Sequence, residues 1–215
     1  LGQIAERVGL PRSTVQRIVG ALQAERLVIA SSGGAGIRLG PELHALAEAA
    51  RYNVIDVMRP LLLSLSEETE ETVDLSVLRN GHMVFIDQIP GRHRLRAVSA
   101  VGEAFPLTST ANGRACLALL PEEEARKLAD KELAGPAALK ALMAKLIEVR
   151  RTGLAYDEDE HTSGISAVGL AFSDFRGDLY AVSVPAPTAR FRSERAGLVA
   201  AILRLRAPIS NLFGG

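Results

Sequence analysis

Two clusters of side chains in this sequence have the types and spacing to do chemistry. The first is Arg12-Ser13-Thr14-Val15-Gln16-Arg17. Ser, Thr and Gln are short or medium hydrogen-bonding groups, and an arginine guanidinium is a fork that fits phosphate or the major-groove edge of guanine. The second is Asp157-Glu158-Asp159-Glu160-His161. If that run is extended, Asp157, Asp159 and His161 share one face that could hold a metal or carry out acid–base work. Such an acidic run is more often a solvated turn, and spacing fixes no further ligand. Enzyme chemistry lacks parts elsewhere. Cys116 is the one cysteine and falls on a helix predicted to be buried, and no Gly-x-Ser-x-Gly elbow marks a serine hydrolase. His44, His82 and His93 fall on a helix surface or in turns. The expectation is no catalytic residue, no metal and no cofactor.

The elements around the first cluster are legible. Ile4 and Val8 lie four apart on one face of a short helix, and Gly9 can take the left-handed conformation that ends it. Leu10 plugs the corner, and Pro11 stands where a second helix begins. Val15, Ile18, Val19 and Leu22 then recur at i, i+3, i+4 and i+7, one buried face. Ser13 and Arg17 point away from it, flanked by Thr14 and Gln16. This is the pattern of a helix-turn-helix offering its second helix to the DNA major groove; an ordinary pair of amphipathic helices has the same pattern. Next, 27–29 and 37–39 are short apolar runs around the Gly/Ser turn 31–36, a β-hairpin that forms a wing. Arg38 on it reaches toward phosphate or the minor groove. Residues 1–40 carry five arginines against two glutamates, a net +3, and the remainder holds 20 basic and 23 acidic residues, a net −3. A small basic head on a mildly acidic body assigns the two parts separate jobs. So modest a charge calls for two or more heads acting together.

Downstream, 42–50 is strongly helical by propensity and reads as a linker helix, and a further helix starts at Val54. Three strands follow in an antiparallel meander: 72–78, 83–89 after the Asn80-Gly81 hairpin turn, and 95–98. Thr110 caps a helix that runs through Leu120 and whose start is a ready anion site. Helices at 122–130 and 137–151 precede strands at 154–156, 164–172 and 179–184, and a terminal helix runs from about 194 to 211. The order gives an α+β domain with an antiparallel sheet. The 215 residues, 47% hydrophobic and 23% charged, are ordinary for a soluble globular protein. No run approaches the ~20 apolar residues of a membrane span. The single cysteine fits a reducing cytoplasm.

The segments IAERVGLPRSTVQRIVGALQAERLV and IRLGPELHALA resemble the winged helix of the IclR (isocitrate-lyase-regulator) family of bacterial transcription factors, and the resemblance continues to the C-terminus. In that family one more helix precedes the winged helix. This sequence starts at Leu1 without it and without an initiator Met, so a preceding segment is expected to cover Leu22 and Leu27. The resemblance implies a winged helix-turn-helix domain (1–40), a linker helix (41–53) and a GAF-like effector-binding and oligomerisation domain (54–215). In the last, helices lie on one side of the sheet and a ligand pocket on the other. It implies a homodimer or a dimer of dimers that binds double-stranded operator DNA as a repressor controlled by a small organic acid. Arg12, Ser13, Thr14, Gln16, Arg17 and Arg38 then carry the DNA contacts. The run from Gly153 to Ala167 resembles the family's G-[YF]-x-x-D-x-E…G-[VIL]-x-C segment. Carried over by position, the effector site comprises Ala111 and Asn112, Asp157, Ala167 where cysteine often stands, Ser183, and Pro185 in place of a second serine. Losing a thiol and a hydroxyl makes the pocket more apolar and wider. The expected effector is therefore larger or less polar than a two- or three-carbon keto acid, such as an aromatic acid; the other reading of Ala167 is simple sheet packing. A GAF-like sensor or dimerisation module without DNA binding is the alternative. A redox enzyme of the GAF type lacks a pocket thiol.

Overall fold

The computed structural model describes residues 1–31, 36–43 and 53–214. The chain divides into two compact units, Leu1–Asn53 and Val54–Gly215.

In the first unit, α1 (Gly2–Val8) ends at Gly9, whose φ of 66° is the left-handed stop its missing Cβ permits. Helix α2 (Arg12–Ala24) starts one residue later than expected, with Pro11 at the capping position. Strands β1 (Val28–Ala30) and β2 (Ile37–Leu39) pair antiparallel as the wing, Ile29 opposite Arg38. The expected apolar faces are only partly covered. Val15 is 2% exposed, Val19 and Leu22 are half-buried, and Ile18 is 47% exposed. Leu10, expected to plug the corner, is 41% exposed. So small a unit has little interior to offer. Most of the wing turn and the expected linker helix, with His44, lie outside the described residues apart from its start at Glu42–Leu43.

The second unit is α+β. Helix α3 (Val54–Thr69) leads into β3 (Val73–Arg79) and β4 (His82–Ile89). These strands join through Asn80 and Gly81, both at positive φ, as a tight hairpin turn requires. Strand β5 (Ala104–Phe105) is followed by α4 (Ala111–Leu119), α5 (Glu122–Ala129) and α6 (Pro136–Thr152). Then come β6 (Ala155–Glu158), β7 (Ile165–Ser173), β8 (Leu179–Pro187), α7 (Thr188–Arg204) and α8 (Arg206–Phe213). One antiparallel sheet has the order β5-β4-β3-β8-β7-β6.

Four expectations are corrected. The stretch 95–98 is not a strand. Leu95 and Val98 stand 70% and 65% exposed, and the Ala97 carbonyl accepts from the Thr72 hydroxyl. Glu103 caps the turn at Ala100, and the chain rejoins β4 from Gly102, which donates to the Phe85 carbonyl, into the short strand Ala104–Phe105. Helices cover both sheet faces rather than one: α3 packs on β3 and β4 and α7 on β7 and β8, whereas α4 packs on β7 and β8 from the opposite side. On β7 the Ser166 hydroxyl meets Thr188 of α7, while Gly169, an odd number of residues on, backs Ala111 of α4. The terminal helix begins at Thr188, and it breaks at Leu205 because Pro208 has no N–H to offer the preceding turn. Thr188–Phe213 is also long and apolar enough, by composition, to cross a membrane, with a mean hydropathy of 1.3. Here it carries Phe191, Leu198, Ala201 and Ile202 into the core against the sheet.

Candidate functional site

Strand register builds the site. Antiparallel pairing aligns Gln88, Asp74, Ser183 and Gly169 across β4, β3, β8 and β7. Two residues along, Pro185, Ala167 and Asp157 align across β8, β7 and β6. Because side chains alternate along a strand, both rows face the side that carries α4. Asp74 and Ser183 of the first row and all three residues of the second floor a cavity of about 260 Å³. Gly169 shapes one end. A Cβ there would lie 2.9 Å from the Ala111 carbonyl carbon and 3.1 Å from the Asn112 nitrogen, so its absence lets the first turn of α4 sit on the sheet. Thr110 caps that turn, accepting from the Gly113 N–H at 3.1 Å.

All six positions assigned from the sequence (Ala111, Asn112, Asp157, Ala167, Ser183 and Pro185) line this one cavity. The Asn112 side chain is committed to the frame, donating to Ser76 at 3.1 Å and accepting from Gly113. Arg114 braces the same corner from a buried position. It donates to the Thr108 and Tyr156 carbonyls and forms a two-pronged pair with Glu160, which Lys145 also meets. These bonds hold the Glu160 carboxyl down at about 2, with Arg114 the main cause and Lys145 second.

Sequence reasoning missed several lining residues. Asp74 is 1% exposed. Gln88 donates to it at 2.6 Å and Ser99 at 3.4 Å, yet burial outweighs these bonds and pushes its carboxyl up to about 7. The signal was the alternation Thr72, Asp74, Ser76, which reads as a solvated strand face. Phe85 and Phe105 meet edge to face, ring centroids 4.7 Å apart, and His161 leans on Phe105 at 4.5 Å. The Asp157–His161 run is thus not a free turn. Asp157 is buried and accepts the Glu160 and His161 N–H groups, and burial raises its carboxyl against those bonds. Among the described residues no group of three His, Cys, Asp or Glu is placed to hold a metal. The loop with Arg96 through Ser99 closes the cavity's remaining side. Cys116 is fully buried elsewhere in the core, and burial pushes its thiol up.

In the first unit, Arg12, Ser13, Gln16 and Arg17 are exposed at the start of α2, and Thr14 is half-buried. Ser13, Gln16 and Arg17 share a face opposite Val15. Arg38 is exposed on the wing, and among the described residues Arg12, Arg17 and Arg38 have no acidic partner.

The IclR helix-turn-helix domain matches residues 1–29, and the domain described as bacterial transcriptional regulator IclR C-terminal matches residues 46–210. The HTH-type transcriptional regulator Rv1719 of Mycobacterium tuberculosis is 43% identical, over 99% of this chain and 84% of its own. The HTH-type transcriptional regulator TtgV of Pseudomonas putida is 35% identical, over 100% and 84%. The transcriptional repressor IclR of Escherichia coli is 26% identical, over 100% and 83%. Among solved structures, an IclR transcriptional regulator from Silicibacter superposes with a TM-score of 0.74 at 26% identity, covering 98% of this chain and 87% of that one. Pseudomonas aeruginosa HmgR gives 0.68 at 28%, covering 100% and 89%. These relatives are regulators and not enzymes. With one match over the helix-turn-helix and another over most of the second unit, the chain belongs to the IclR family of bacterial transcriptional regulators.

Proposed function

We propose that this protein is a repressor whose grip on double-stranded operator DNA is set by a small molecule held in the 260 Å³ cavity. The head, 1–40, presents Arg12, Ser13, Thr14, Gln16 and Arg17 to the major groove and Arg38 to the backbone. The segment 41–53 joins it to the effector-binding domain, 54–215. A homodimer, or a dimer of dimers, supplies the paired heads that half-sites about 34 Å apart require. The observation that carries this reading is convergence: six positions spread from Ala111 to Pro185 meet around one cavity, in a chain whose other unit is a helix-turn-helix.

The cavity reaches the start of the second unit through two strands. Asp74 and Phe85 line it, while Leu75 and Asp87 beside them face α3, where Arg59 donates to Asp87 at 2.6 Å. An effector that displaces β3 or β4 acts on α3, the helix that follows the connector. Its leverage is its preference for one state, typically about 1–3 kcal/mol. A ring compound suits the volume better than a two- or three-carbon keto acid, and the carboxylate implied by the resemblance would face the start of α4.

The test is fluorescence anisotropy of the full chain on its own upstream DNA, at two salt concentrations, with and without a panel of ring and aliphatic compounds. Arg17→Ala is expected to weaken specific binding by about 1–3 kcal/mol, and Arg38→Ala to lower the salt slope by about 1. Binding that neither substitution changes would refute the assigned contacts. Absence of specific binding would leave the sensor-module alternative.

A further inference from the structure

We propose a second ligand site on the α+β unit, apart from the effector cavity: a groove that takes a small organic anion with an apolar body. Two helix ends, one strand and α8 build it. Helix α4 ends at Leu119, α6 ends at Thr152 with Gly153 beyond it, and α8 runs from Arg206 to Phe213. Leu170 and Phe172 of β7 and Ile209 and Phe213 of α8 form an apolar floor. The Phe172 and Phe213 rings meet with centroids 4.8 Å apart. The groove measures about 460 Å³ and shares no lining residue with the effector cavity. It stands whatever that cavity binds.

The rim is cationic. Arg150, Arg151 and Arg206 line the groove, and among the described residues no Asp or Glu does. Arg151 is committed to Glu148. Arg150 and Arg206 have no carboxylate partner among the described residues. Each instead meets the end of a helix, where carbonyls lack partners within the helix. Arg150 gives its Nε–H to the Ala118 carbonyl of α4 at 3.0 Å, and Arg206 Nη2 donates to the Thr152 carbonyl of α6. One bond apiece fixes each guanidinium and leaves its other N–H groups without an acceptor among the described residues. Gly153 makes room for this: its φ is 68°, and a Cβ on it would lie 2.9 Å from Arg206 Cζ. Guanidinium forks pair with two oxygens of a carboxylate or sulfonate, and forks already held in place lose little freedom on binding. Capping the helices uses one N–H of each arginine. It explains neither the remaining donors nor the apolar floor beside them. A cavity of about 150 Å³ holds benzene, so the groove admits a fused ring pair with its charged head at the rim.

The experiment is calorimetric titration of the full chain at pH 7.5 in low salt with 2-naphthalenesulfonate, uncharged 2-naphthol and inorganic sulfate. The sulfonate is expected to bind about tenfold or more tightly than either of the others. Arg150→Gln and Arg206→Gln keep a donor for the helix carbonyls and remove the charge, and each is expected to weaken the sulfonate about tenfold. Methyl spectra of isoleucine-labelled protein locate the ligand, because Ile209 lines the groove and Ile165 lines the effector cavity. The saturating shift is expected at Ile209. A sulfonate that shifts Ile165 alone, that fails to bind, or that binds both variants as tightly as wild type overturns the proposal. So does 2-naphthol or sulfate binding as tightly as the sulfonate. Sedimentation velocity separates the other occupant: variants that lose an oligomer, with no sulfonate bound by wild type, would make the groove an interface between copies and overturn the ligand site.

Discussion

Replacing Asp74 by Asn should make the protein more stable at neutral and alkaline pH and have almost no effect in acid. Asp74 sits on β3 at 1% exposure, and burial raises its carboxyl from 3.8 to about 7 despite the bonds from Gln88 and Ser99. The folded state therefore holds a proton that the unfolded chain releases near pH 4. A carboxyl raised on folding contributes its full stability below the unfolded value and loses it as pH rises through the folded one. The interval is about three pH units, and each unit is worth about 1.4 kcal/mol, so ionised Asp74 costs about 4 kcal/mol at pH 8. Asn reproduces the neutral acid: its carbonyl oxygen accepts from Gln88, and its amide donates to the Ser99 hydroxyl. Urea denaturation followed by circular dichroism at pH 4, 5, 6, 7 and 8 reads the difference directly. With a urea slope of about 2 kcal/mol per molar, the variant midpoint should exceed wild type by about 2 M at pH 8. The gap should close toward pH 4, and carboxyls common to both proteins cancel in it. Midpoints that run parallel over the whole range would refute the argument, because Asp74 would then titrate alike in both states.

Three further outcomes follow from the same geometry. Gly169→Ala should cost about 1–3 kcal/mol, because its Cβ would press on the Ala111 carbonyl at 2.9–3.0 Å. By lifting the start of α4 it should also weaken ligand binding, read by calorimetry beside thermal unfolding. Arg114→Ala should cost about 3 kcal/mol or more, since the Thr108 and Tyr156 carbonyls lose their donor; a change below about 1 kcal/mol in urea denaturation would refute that bracing role. Glu160, held at about 2 by Arg114 and Lys145, contributes stability that is present above its ordinary value of 4.5 and lost as pH falls toward 2. Glu160→Gln should therefore flatten the acid limb of the stability profile between those values.

How much of this was legible in the sequence depends on whether the signal was local. Gly9, Asn80-Gly81 and Thr110 each announce a backbone conformation that only a few residue types adopt, so the helix stop, the hairpin and the cap all stand where the sequence put them. The break at Leu205 was equally local, written in Pro208, but the apolar periodicity continues across it and masked it. The stretch 95–98 has the composition of a strand, yet strand formation needs a partner. The Glu103 cap and the Thr72 hydroxyl hold that segment over the cavity instead of beside β4.

The cavity divides the same way. Its position could be carried over from motif positions alone, because register fixes which residues share a row: once Ala167 lies opposite both Pro185 and Asp157, the three must line one surface. Its electrostatics could not. Asp74 alternates with Val73 and Leu75 as a residue on a wet strand face would, and nothing in the spacing reveals that the loop carrying Ala97 and Ser99 covers that face. Covering it turns an ordinary carboxylate into one that resists ionisation. The expectation of an acid rested on the family resemblance and on the N–H groups at the start of α4, and Ala167 and Pro185 directed it toward a larger or less polar one. The replacements leave Asp74 and Asp157 as buried carboxyls in the floor, and each donates a hydrogen bond when protonated and only accepts when ionised.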